Sequence, residues 1–146
     1  MTFQMIQDAH VRPELFKWNG RMTAETLNAW LREHGWQAAV PSDLFELWKE
    51  TGGGDVFETE TILGPMGDAA LGDDIVAANR ELHSRGMPEQ FLAYYVGVNI
   101  GAVDVSQMEY VELDGTDFRS IRRFVSFDDW YSMTLRSEYQ VRYGLP

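Results

Sequence analysis

The chain contains no cysteine among its 146 residues. That excludes a disulfide framework, thiol nucleophiles and Cys-based zinc sites. Long apolar runs are missing as well: no stretch approaches the roughly 20 residues that a spanning helix needs. The opening MTFQMIQDAHVRPELF lacks a basic start followed by an apolar run. No secretion signal is expected there, and a cytoplasmic location is the default. No repeat, low-complexity tract or linker-like Pro/Ser run divides the chain, so residues 1–146 read as one domain. Only three histidines occur, His10, His34 and His83, and none has a second ligand at i+4. A metal site needs clustered donors, so none is expected. There is no G-x-S-x-G elbow and no visible nucleophile–base set. The reading is a non-enzymatic protein without a cofactor.

Basic residues are scarce, and their scarcity is uneven. Twelve Lys and Arg face 23 Asp and Glu, a formal net charge of −11. Residues 50–118 hold 14 of the acids and only Arg80 and Arg85, so the excess lies in the middle of the chain. Such a surface repels nucleic acid and anionic membrane and attracts cationic partners; acidic surface also serves solubility alone. Asp55, Glu58, Glu60, Asp104, Glu112 and Asp114 lie on or beside predicted strands. Alternation would turn several of them outward on one face, which makes them the candidate partner-binding residues. The basic cluster Arg119, Arg122 and Arg123 reads as a solvated turn in an otherwise acidic chain.

What is present in quantity is apolar: 45% of the chain, enough for a sizeable core. The first 22 residues are poorly periodic and stand as an unassigned N-terminal extension. Thr23 caps a predicted helix to about His34, with Leu27, Trp30 and Leu31 on one face and Gly35 as its stop. A second helix opens at Pro41–Ser42, carries Leu44, Leu47 and Trp48, and ends at Gly52. The run Gly52-Gly53-Gly54 follows a helix instead of opening one, and no Lys-Ser/Thr pair comes after it. It therefore closes the helix and turns the chain, and does not cradle phosphate.

Beyond the glycines the period changes. Val56–Phe57 and Thr61–Leu63 read as short strands, and Asp73 or Asp74 caps a helix carrying Ile75, Ala78 and Leu82. Phe91–Val98 is apolar on both faces and reads as a central strand. Asn99-Ile100-Gly101 reads as a turn, followed by strands at Ala102–Val105 and Tyr110–Leu113. Ser126 and Asp129 form a capping box for one closing helix over 126–140, with Phe127, Trp130, Tyr131, Leu135 and Tyr139 on one face. The expected fold class is α+β, an antiparallel sheet flanked by helices. Trp48 and Trp130 should be core, while Trp18 and Trp36 fit no stripe and are candidates for exposed aromatic contacts.

The stretch VPSDLFELWKETGGGDVFETETIL resembles the signature of the SUKH superfamily, the Smi/Knr-type domain. Pro41, Leu44, Trp48, Gly52, Gly53, Ile62, Leu63 and Pro65 carry the match. LAYYVGVNIGAVDV resembles the family's central hairpin and SFDDWYSMTL its closing helix, with Ser126, Phe127 and Trp130. Asn99-Ile100-Gly101 stands where a second glycine-aspartate pair would be expected. The resemblance spans residues 23–140. It implies an α+β fold and, for bacterial members, an immunity protein that binds and neutralises a cognate toxin, often a nuclease. Other members act as regulatory scaffolds, so a scaffold or ligand-sensing module is the alternative. The expected partner is a toxin protein with a cationic domain, not nucleic acid or membrane, and the expected state is a monomer or weak homodimer.

Overall fold

The computed structural model describes residues 3–71 and 73–146. Seven strands form one sheet in sequence order, each antiparallel to its neighbours: β1 Phe16–Trp18, β2 Gly54–Val56, β3 Glu60–Ile62, β4 Phe91–Val96, β5 Asn99–Asp104, β6 Glu109–Asp114 and β7 Ser120–Phe124. Helices α1 Gln4–Val11, α2 Ala24–His34 and α3 Ser42–Thr51 precede β2. Helix α4, Ile75–Ser84, joins β3 to β4, and α5 Phe127–Met133 and α6 Leu135–Tyr143 close the chain. The α+β class, the antiparallel sheet and the flanking helices are as the sequence predicts.

Helix boundaries follow local chemistry. The Thr23 side chain accepts a hydrogen bond from the Thr26 amide at the start of α2, and Gly35 ends it in the left-handed conformation. Helix α3 follows Pro41, whose carbonyl accepts from the Phe45 amide, and stops at Gly52. Gly52 has φ +71°, and a Cβ there would sit 2.3 Å from the Gly20 carbonyl oxygen. Gly53 has φ +86°, and its Cβ would meet the Gly64 amide nitrogen and the Ile62 carbonyl oxygen at 2.8 Å. Only glycine lets β1, β3 and the end of α3 approach this closely.

The sheet buries both faces, which is why β4 is apolar throughout. On one face Leu92, Tyr94, Val103 and Tyr110 pack against Leu44, Leu47, Trp48, Phe127, Trp130 and Tyr131 of α3 and α5. On the other, Leu82 of α4 and Met87 cover Phe91, Ala93, Ile100, Ala102, Val111 and Leu113. Trp48 is fully buried and its Nε1 donates to the Leu63 carbonyl at 3.0 Å, tying α3 to the end of β3. Trp130 is buried edge-on against Tyr94 and so close to Gly101 that a Cβ there would lie 2.6 Å from the indole.

Four expectations need correction. Residues 4–18, unassigned from sequence, supply α1 and the edge strand β1, whose Phe16–Trp18 pairs with Gly54–Val56. Asn99-Ile100-Gly101 is not a turn but the start of β5, because the β4–β5 hairpin turns one step earlier, at Gly97–Val98. The segment holding Arg119, Arg122 and Arg123 is not a solvated turn: residues 120–124 form β7. The closing helix is two helices, broken at Thr134 (φ −116°, ψ −90°), whose hydroxyl donates to the Trp130 carbonyl at 2.5 Å. Ser126 caps α5 as expected, accepting from the Asp129 amide at 3.1 Å.

Candidate functional site

The six candidate carboxylates do not share a face. Strand alternation and register put Glu60, Glu112 and Asp114 on the α5–α6 side of the sheet and Asp55 and Asp104 on the opposite side. Glu58 lies in the β2–β3 turn with φ +68°.

Three of the six are neutralised by the cluster that reads from sequence as a free basic turn. Glu112 and Arg122 are cross-strand partners, Oε1 to Nε 3.0 Å apart. Asp104 is 1% exposed and bound to Nη1 of Arg123 at 2.9 Å and to the Ser106 hydroxyl at 2.6 Å. Burial alone would raise the Asp104 pKa. The hydrogen bonds from Ser106 and Arg123 together outweigh burial and hold it below the ordinary carboxylate value. Asp114 pairs with Arg119 at 4.0 Å and accepts the Thr116 and Asp117 amides, which lower its pKa. Asp104 is thus withdrawn as a surface contact: it is a buried anchor between β5 and β7. Glu112 and Asp114 are half-buried and paired, a poor basis for an attractive field.

A group of carboxylates without ion pairs lies at the other end of the sheet. Asp55, Glu58, Asp68 and Asp73 have no ion-pair partner within 4.0 Å among the described residues. The Asp55 carboxylate accepts the Thr61 hydroxyl at 3.1 Å across β2 and β3. The Asp73 carboxyl is pushed above its ordinary value, first by partial burial and then by the like charges of Asp55 and Asp68. Asp73 therefore lies in the field of two other carboxylates. The sequence reading missed Asp68 and Asp73 because both lie in the loop before α4, and only β2–β3 pairing brings them beside Asp55.

Glu60 behaves differently. Its two oxygens accept from Tyr95 at 2.6 Å and Tyr139 at 2.5 Å, so it clamps β4 and α6 to the hairpin. Burial, then the bond to Glu60, raises the Tyr95 pKa, which keeps that phenol a donor at any physiological pH. Glu60 and Glu112 also line a groove of about 510 Å³ between the β4–β5 tip and α6, with Arg122, Asn99 and Glu138.

Trp18 and Trp36 are both half-buried. Trp18 leans on Phe16 with ring centroids 5.6 Å apart. Trp36 stands edge-on to Trp30 at 5.6 Å and forms one wall of a recess that is not legible in the sequence. His34 lies against Trp30, and His83 hydrogen-bonds the Phe91 carbonyl. Among the described residues no three His, Asp or Glu side chains gather as metal ligands, and no helix is long and apolar enough to cross a membrane. Comparison with protein-family models and with curated protein sequences finds no match for this chain.

Proposed function

We propose that this protein works by binding a cationic protein domain, in the manner of an immunity protein that neutralises a cognate toxin inside the cell that makes it. The observation that carries the reading is the charge left after pairing. At the β5–β7 end Asp114, Glu112 and Asp104 are paired with Arg119, Arg122 and Arg123, while Asp55, Glu58, Asp68 and Asp73 cluster without an ion pair at the β1–β3 end. There the carboxylates outnumber Lys17, the cross-strand neighbour of Asp55, and such an excess on paired strands steers a cationic partner and speeds its association. For a nuclease partner, the same carboxylates would occupy a surface meant for phosphates. The resemblance of residues 23–140 to SUKH domains supports the same class of activity. The alternative, a ligand-sensing module, is favoured by the recess beside Trp36.

The test is association of the chain with the toxin domain encoded beside it, measured at low and high salt. Combined reversal of Asp55, Glu58 and Asp73 to Lys should slow association about tenfold or more at low salt and leave the melting temperature nearly unchanged. Association that ignores both salt and the three reversals would refute this docking surface. Failure to bind that domain at all would transfer support to the sensing module.

A further inference from the structure

The recess beside Trp36 encloses about 460 Å³, within the range of small-molecule sites. Trp36 and Ala39 of the α2–α3 connection form one wall, His83 of α4 another, and Phe91, Leu92 and Val105 the floor. Its frame is fixed. Both amide hydrogens of the buried Asn79 go to the Ile75 and Ala93 carbonyls at 2.9 Å, and its oxygen accepts the Ala93 amide at 2.7 Å. The recess shares no residue with the acidic β1–β3 end.

The polar atoms it offers are mostly acceptors. Nε2 of His83 lies 2.9 Å from the Phe91 carbonyl oxygen, which can only accept, so Nε2 carries the proton and neutral His83 presents Nδ1 as a lone pair. The Ser106 hydroxyl spends its hydrogen on Asp104, leaving its own lone pairs free. Glu89, at the mouth, is 88% exposed and 3.8 Å from Nδ1 of His83. With Asn79 saturated, the side-chain donors left are the Gln90 amide and the Trp36 indole N–H. An apolar slot with the Trp36 indole as one wall, and with acceptors and a carboxylate at its rim, selects a flat ligand that brings hydrogen-bond donors and positive charge.

We propose that this recess binds a small planar aromatic molecule bearing a protonated amine, its ring against Trp36 and its ammonium group toward Glu89. This site is separate from the proposed docking surface and stands or falls independently of it. Titration calorimetry of the full chain with tryptamine, indole and indole-3-acetate tests it. Tryptamine should bind saturably in the micromolar to millimolar range, indole more weakly, and indole-3-acetate not at all. W36A should weaken tryptamine about tenfold or more, through loss of the ring wall. Because Trp36 also packs on Trp30, a second variant is needed that cannot act through folding. E89Q alters only an exposed side chain and should weaken tryptamine about threefold while leaving indole unchanged. Absence of saturable tryptamine binding would overturn the site. Equal binding of the acetate, or full tryptamine affinity in E89Q, would overturn the assignment of a cationic ligand.

Discussion

Asp104 separates a surface role from a structural one, and D104A measures the difference. The side chain is 1% exposed and accepts three hydrogen bonds, from the Ser106 amide and hydroxyl and from Arg123. Removing one partner of a buried pair costs about 3–5 kcal/mol, because the other charge is left unpaired. Arg123 is 39% exposed and can regain water, so the cost should fall at the low end, about 3 kcal/mol. In a domain of this size that lowers the melting temperature by about 6–12 °C. D55A, which removes a half-exposed carboxylate bonded only to Thr61, should change it by no more than about 2 °C. The pH dependence carries a sign. Because the folded Asp104 pKa is depressed, its contribution is present above the unfolded value, near 3.8, and is lost as pH falls through the folded one. The gap between wild type and D104A should be full at pH 7 and shrink in strong acid. Melting curves of the three proteins across pH check this. Equal melting temperatures for D104A and D55A would refute the assignment of Asp104 as a buried anchor.

Two further outcomes rest on single contacts. W48F keeps most of the buried volume but strands the Leu63 carbonyl, and should lower stability by about 1–3 kcal/mol against about 3–5 for W48A, as read from urea midpoints. D73N should raise the midpoint at neutral pH. Its folded pKa is raised by burial and by Asp55 and Asp68, so the charged form costs stability that is absent in acid, where the difference from wild type should vanish.

The helical half of the fold is legible because its signals are local. Thr23 and Gly35 bracket α2, Gly52 ends α3 and Ser126 opens α5, each through atoms within four residues. The sheet edges are not legible. β7 reads as SIRRF, polar at three of its five positions and exposed at four, because those side chains face solvent or the carboxylates of β5 and β6. β1 has three residues and forms only because Gly54 lets Lys17 and Trp18 approach. Pairing across 36 to 40 residues leaves no periodic trace in β1. The pairing of acids with bases is hidden for the same reason. Acids in 99–114 and bases in 119–123 look like separate patches along the chain, and the β6–β7 register makes them partners. Burial of Trp48 and Trp130 was predictable because each lies on a helical stripe.

The hairpin that carries Asp55, Glu58 and Glu60 is held by the core, not by its own turn. Phe57 adopts φ +50°, a conformation that costs a non-glycine residue about 1–3 kcal/mol. It does so while fully buried, its ring stacked on Tyr139 at 4.8 Å, Tyr143 at 5.9 Å and Tyr131 at 6.3 Å. Those rings come from α5 and α6, and their own attachments extend the hold. Tyr139 donates to Glu60, and Tyr131 donates at 2.6 Å to Asp8, which also accepts from Arg136 at 2.9 Å and so ties in α1. The burial of Phe57 thus offsets the strained turn and fixes Glu58 beside it in space. The turn backbone that carries the exposed Glu58 keeps its position this way without an ion pair. A docking protein then loses less entropy in ordering the hairpin, and more of its electrostatic attraction is expressed as affinity. The aromatic stack is therefore the physical link between the core of this fold and the acidic end proposed to meet its partner.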